Sequence, residues 1–211
     1  MMGDADALQR ILAEMDVSRE TTERLKAYVD LLLKWTKRIN LIGKGTTAEI
    51  WDRHILDSTQ LWPLRPPHAR IWLDMGSGGG LPGVVIAILA AEQARDLDLT
   101  LMESDLRKSV FLQTVARELG LAYRVVTERI ENAAPVKADV VSARALAPLG
   151  TLLAWTERHR AQNGTALLLK GRRYQDELTE ARALWHVEPE VIQSRSDPSG
   201  VILRIGDFRR V

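Results

Sequence analysis

Apolar positions along this chain follow two rhythms, which change near residue 68. Before that point the spacing is helical. Leu8, Ile11, Leu12 and Met15 form one face over residues 6–15. Leu25, Val29, Leu32, Trp35 or Thr36, and Ile39 repeat at helical intervals after a cap at Ser18. A third helix is predicted over 48–61, where Arg53 and Asp57 stand one turn apart and are spaced to pair. Residues 63–70, PLRPPHAR, then place three prolines within five positions, which neither a helix nor a central strand accommodates. We set a boundary there: a helical region over 1–68 and a second domain over 69–211.

Beyond the boundary, short apolar runs alternate with helical faces. Strands are predicted at the head of 71–89 and over 98–103, 123–127, 138–142 and 165–169. Helices fit 106–119, 149–160 and 174–185. In the first of these Val110, Phe111, Thr114, Val115 and Leu119 make the buried face, and Gly120 ends it. Two final strands, around 190–195 and 201–206, flank the turn-forming DPSG at 197–200 and read as an antiparallel hairpin. Strand-helix alternation with apolar strands implies an α/β fold with a parallel sheet covered on both faces.

The stretch over 71–89, IWLDMGSGGGLPGVVIAIL, turns a strand into a helix through five glycines in eight residues. Such loops bring backbone close to a small ligand. Gly78, Gly80 and Gly83 fit GxGxxG with Glu103 at the ribose-binding distance, which leaves an NAD-dependent oxidoreductase as an alternative. Asp74 argues otherwise, because an acid at the strand end repels a pyrophosphate and suits the ammonium and sulfonium of S-adenosylmethionine. Five parallel strands with a closing hairpin point the same way. They match a Rossmann-like seven-stranded S-adenosylmethionine-dependent methyltransferase sheet, here with a small N-terminal helical region.

Ligands of these sheets lie outside the carboxyl ends of the strands. Glu103 ends the second strand, where a carboxylate can accept both ribose hydroxyls. Ile130 and Glu131 follow the third, placed to pack on and hydrogen-bond an adenine. Arg144 follows the fourth, where amino-methylating enzymes carry Asn or Asp, then Pro-Pro and an aromatic; an arginine instead clamps carboxylate or phosphate. Lys170, Arg172 and Arg173 follow the fifth. Helix starts disfavour cations, so this basic run suits RNA phosphates. Lys34, Lys37 and Arg38 fit favourable charge at a helix C-terminus or an RNA-facing basic edge continued by Lys44.

Composition narrows the chemistry further. The chain has 211 residues and a formal net charge of +1, so a nucleic-acid partner requires only a local basic patch. It has no cysteine, which removes disulfides, Cys-based zinc sites and the covalent route to pyrimidine C5. The four histidines lack ligand spacing, and no metal is expected. The N-terminus lacks signal-peptide character and the apolar run at 84–91 is too short to span a bilayer, so a cytoplasmic protein without membrane contact is expected.

Six segments, KWTKRINLIG, WDRHILDS, LDMGSGGGLPG, ESDLRKSVFLQTV, VVSARALAPL and LLLKG, together resemble the bacterial small-subunit ribosomal RNA guanine-N7 methyltransferases, also called glucose-inhibited division protein B. The resemblance covers nearly the whole chain. It implies methylation of N7 of guanine 527 in 16S rRNA by S-adenosylmethionine, leaving S-adenosylhomocysteine. The acceptor is then 16S rRNA or a small-subunit assembly intermediate. Carried over, Gly76, Leu81, Ile130, Glu131 and Arg144 contact the donor, while Asn40, Arg53, His54 and Lys170 serve the RNA side or hold the site together. With the loop reading, the cofactor set is Asp74, Gly76, Gly78, Gly80, Leu81, Glu103, Ile130, Glu131 and Arg144. Arg144 and Lys170 are the candidates for catalysis, and Arg172 and Arg173 join the RNA set. The family loop often has proline where this chain has Gly79, which predicts a more flexible loop. A noncatalytic RNA-binding module with a vestigial cofactor loop is a rival, and a monomer is expected because nothing resembles a dimer seam.

Overall fold

The computed structural model describes Leu8, Ile11, Ala13 and residues 15–211. Leu8, Ile11, Ala13 and Met15 are helical; Leu12, on the predicted face, lies outside the described residues. Helix α1, Arg19–Thr36, starts where Ser18 accepts from the Thr21 amide, the predicted cap. Two short turns follow: a 3-10 turn, Lys44–Glu49, and a π-helical turn, Trp51–Leu56, which runs into an α-helical turn, Asp57–Thr59. The expected regular helix over 48–61 is therefore a sequence of three different helical forms.

Strand β1, Ile71–Met75, lies inside the main sheet, between β2, Asp98–Met102, and β4, Ala138–Arg144, both parallel to it. β3, Arg124–Val126, adds to the β2 edge and β5, Arg160–Lys170, to the β4 edge, also parallel. The C-terminal hairpin closes the sheet. β8, Val201–Ile205, runs antiparallel to β5, and β7, Glu190–Gln193, antiparallel to β8, giving the order β3-β2-β1-β4-β5-β8-β7. A separate ribbon pairs β6, Trp185–Val187, with β9, Phe208–Arg210. The sequence pattern extended the last helix through Trp185, but three-residue strands leave too short an alternation to distinguish from a helix end.

Strand parity divides the core. Trp72, Leu99, Leu101 and Val140 face one side, with α1, α2 (Gly83–Gln93) and α3 (Leu106–Leu119). Leu73, Met75, Val141 and Leu168 face the other, with α4 (Leu149–His159) and the side of α5 (Tyr174–Arg182) that carries Ala181. Every residue of α2 from Gly83 to Ala90 is buried, which a helix apolar on all faces requires; α1 supplies the cover that a two-layer sheet would lack. On α3, Phe111, Leu112 and Val115 are the buried apolar residues, whereas Val110, predicted to face the core, is 43% exposed. Gly120, left-handed at φ 61°, ends α3 as expected. Among the described residues no helix is long and apolar enough to cross a membrane, and no group of three or more His, Cys, Asp and Glu is placed to hold a metal.

Candidate functional site

Two cavities open at the carboxyl ends of the strands and share the segment after β4. The first, about 350 Å³, lies over the glycine loop. Gly76, Gly78, Leu81, Glu103, Ile130 and Glu131 line it, so most of the predicted cofactor set converges there from three strand ends. The loop floor is held by Glu103, whose Oε2 accepts from the Gly78 amide at 2.9 Å and whose Oε1 accepts from the Asp105 amide at 2.8 Å. Each carboxylate oxygen keeps a lone pair for a further donor.

Gly76 is required by its surroundings. Its φ is +64°, and a Cβ would stand 2.4 Å from Leu146 Cδ1. Leu146 reaches this position because Ala145, at φ +48°, turns the chain back directly after β4. From behind, the Tyr28 hydroxyl on α1 donates to the Gly79 carbonyl at 2.6 Å, and Leu32 and Leu41 press on the same glycine.

Asp74 and Gly80 stand behind this floor and do not line the cavity. Parity explains Asp74: it shares the face of Trp72, covered by α1–α3. Its Oδ1 accepts from the Ser142 hydroxyl at 2.7 Å, itself an acceptor from Trp72 Nε1 at 2.9 Å, and its Oδ2 accepts from the Gly83 amide at 3.1 Å. A Cβ on Gly83 would stand 2.7 Å from that oxygen. Burial pushes the Asp74 carboxyl up to about 6, against hydrogen bonds that pull it down. Asp74, expected in the cofactor set, thus turns its carboxyl to the start of α2, whose N-cap Pro82 offers no side-chain cap. Gly80 lies against Val84 and Tyr28.

The second cavity, about 770 Å³, is bounded by the two turns before β1, the segment after β4 and the loop between β7 and β8. Arg53, His54, Lys170 and Arg173 line it; Asn40 and Arg172 are exposed outside it. Arg144 lines both cavities. Its guanidinium lies 2.9 Å from His54 Nδ1, donates to the Arg53 carbonyl at 3.3 Å and stands 3.6 Å from Asp57 Oδ2. The predicted Arg53–Asp57 pair is therefore not formed. Arg53 instead lies 3.6 Å from Glu49, while Asp57 is taken up by Arg144, Ser194 and Ser196.

An arginine only donates, so His54 accepts at Nδ1 and carries its proton on Nε2, which faces Thr46 Oγ1 at 2.8 Å. Thr46 passes its own proton to the Gly43 carbonyl at 2.9 Å. Burial, and then the charges of Arg144 and Arg53, push the His54 imidazole down to about 3, so it is neutral at physiological pH. On the other side, Asp57 Oδ1 accepts from Ser196 at 2.8 Å and Ser194 at 3.3 Å. Burial raises the Asp57 carboxyl, and Arg144 leads the effects that oppose the rise.

Lys170, 8% exposed, pairs with Glu177 and donates to the Ala147 carbonyl at 3.0 Å. Glu177 also accepts from the Leu149 amide at 2.9 Å. This pair fixes the 145–149 segment rather than presenting a free ammonium. The contributions of Tyr28, Ser196 and Leu146 have no local signal in the sequence, since each acts on a partner at least 51 residues away.

Residues 21–198 match the family GidB, rRNA small subunit methyltransferase G. The chain belongs to this family. A "Ribosomal RNA small subunit methyltransferase G" from Ruegeria sp. (strain TM1040) is 50% identical over 94% of this chain and 96% of the relative. One from Paramagnetospirillum magneticum (strain ATCC 700264 / AMB-1) is 46% identical over 96% of each. Among solved structures, a TehB-like SAM-dependent methyltransferase from Corynebacterium glutamicum shares the fold, with TM-score 0.57 and 16% identity over 83% of this chain and 97% of that one. The M. jannaschii TYW2 structure in complex with AdoMet gives TM-score 0.55 and 13% identity over 83% and 80%. The chain is a methyltransferase of the family, and its sheet is that of the S-adenosylmethionine-dependent enzymes.

Proposed function

We propose that this enzyme methylates N7 of guanine 527 in 16S rRNA, with S-adenosylmethionine in the smaller cavity and the guanine entering from the larger. The observation that carries the reading is Arg144 on the common wall of the two cavities. Bound S-adenosylmethionine supplies a methyl group on an electron-poor sulfonium. The glycine floor, Glu103 and the Ile130–Glu131 turn fit an adenosine: backbone without side chains below, a carboxylate with spare lone pairs for ribose hydroxyls, and an apolar wall.

Guanine N7 offers a lone pair and no proton, so the enzyme needs no general base and works by positioning. A donor placed on N7 would block the attacking lone pair. Arg144 therefore orients the base through other acceptors, O6 or the adjoining phosphate. The purine gains positive charge as it is methylated, which an unpaired guanidinium would oppose; Asp57, 3.6 Å away, offsets it. Neutral His54 accepts from the guanidinium without adding charge. Arg53 and Arg173, on the cleft wall, and exposed Arg172 beside it supply phosphate contacts.

Labelled methyl transfer to small ribosomal subunits and to naked rRNA, followed by mapping of the modified nucleotide, tests the reading. N7-methylguanine at the single position 527 is expected, and Arg144→Ala should lower turnover by about 100-fold or more. Incorporation at a different atom or nucleotide, or full activity of Arg144→Ala, overturns it.

A further inference from the structure

Helix α4 lies outside every glycine-loop and strand-end motif, yet it reaches the smaller cavity. Trp155 lines that cavity and packs on the core cluster that holds Ile130. One helical turn later, His159 is fully buried with its Nε2 2.8 Å from the Ile130 carbonyl. A carbonyl only accepts, so this nitrogen carries the proton. Burial leads the effects that keep the imidazole neutral. Its Nδ1 is buried without a hydrogen-bond partner among the described residues. Beside it, Arg158 donates from Nε at 3.2 Å and Nη2 at 2.8 Å to the Ala133 carbonyl. The last turn of α4 thus grips the turn at 130–133 by two consecutive side chains on two carbonyls.

A buried imidazole with one orphaned nitrogen is a poor choice for packing alone, since an apolar side chain would leave no buried nitrogen unpaired on its own side. What the imidazole supplies is the bond to Ile130, the residue that walls the cavity. We infer that α4 forms the adenine side of the donor pocket, with Trp155 as a direct contact and His159 as a positioning residue that sets the Ile130 wall. The inference rests on the placement of the donor in the smaller cavity.

Titration calorimetry with S-adenosylhomocysteine and with 5′-methylthioadenosine, which keeps the adenosine and lacks the amino-acid part, tests it in the full-length enzyme. His159→Leu and Trp155→Ala should each weaken both ligands by a similar factor, about tenfold. His159→Gln, which keeps a donor on a side chain of comparable reach, should recover most of the loss. Affinity for rRNA should stay within about twofold of wild type, whereas general loosening of the fold would lower it as well. Unchanged affinity of both variants for both ligands overturns the inference while leaving the donor site standing. A loss confined to S-adenosylhomocysteine overturns it too, because the effect would then lie on the amino-acid side. If the wild type binds neither ligand, the donor placement itself has failed. Should His159→Leu not fold, Trp155→Ala and His159→Gln carry the test.

Discussion

Arg144 is fixed by neighbours of unlike kind: a neutral ring nitrogen, a carbonyl and a carboxylate. The ring carries a pH signature. His54 is held near 3 in the folded chain against about 6.5 unfolded, so below pH 6.5 the unfolded chain takes a proton that the folded chain refuses. Stability contributed by neutral His54 is therefore complete above pH 6.5 and is lost as pH falls towards 3, by up to about 2 kcal/mol between 6.5 and 5. Asp74 works in the opposite sense. Its carboxyl is raised to about 6 from 3.8, so its contribution falls as pH rises through that window. His54→Gln can still accept from Arg144 and donate to Thr46, yet it does not titrate. Denaturant unfolding of this variant should show a smaller loss of stability between pH 7 and pH 5 than the wild type, and equal slopes would rule out the neutral imidazole.

The element that joins the two cavities is the return of the chain at Ala145 and Leu146 over the glycine loop. Gly76→Ala puts a methyl group where Leu146 Cδ1 now lies and a side chain on a left-handed backbone. The backbone cost is about 1–2 kcal/mol, and Leu146 must swing away. Donor affinity should fall at least tenfold by calorimetry, and adding Leu146→Ala should restore part of it; no restoration would place the damage in the backbone alone. The elements themselves were largely legible. Central strands are apolar runs bounded by glycines and acids, and the predicted hairpin around DPSG is β7 and β8. The turns before β1 were not, because six residues of 3-10 or π form are too short for their period to be told from that of an α-helix in the sequence. The burial of Asp74 was hidden for a different reason. Its position in the strand fixes its face, and the face of Trp72 is the one covered by helices.

For the molecule as a whole, a net charge of +1 leaves the attraction of RNA to local side chains. Arg53 and Arg173 line the larger cavity together with Asp57, Glu177, Glu180 and Asp197, and Arg172 stands exposed beside it, so the salt dependence of RNA affinity should come from these few arginines. Arg172→Ala should weaken binding equally for all RNA sequences and reduce the slope of log affinity against log salt by roughly 0.7–0.9. Filter binding between low and physiological salt checks it; an unchanged slope would mean that Arg172 meets no phosphate. The gathering of the strand-end residues was readable because topology delivers those ends to one edge. Trp155 and His159 were not, since a helix between two strands gives no sign of which strand-end turn it will touch. Arg144 lies on the wall that the two cavities share. With donor and RNA placed as proposed, both press on this guanidinium and are thermodynamically linked, and linkage is symmetrical. By whatever factor RNA in the cleft alters the hold on the methyl donor, the donor alters the hold on RNA by that same factor, so loading and engagement are reciprocal halves of one equilibrium.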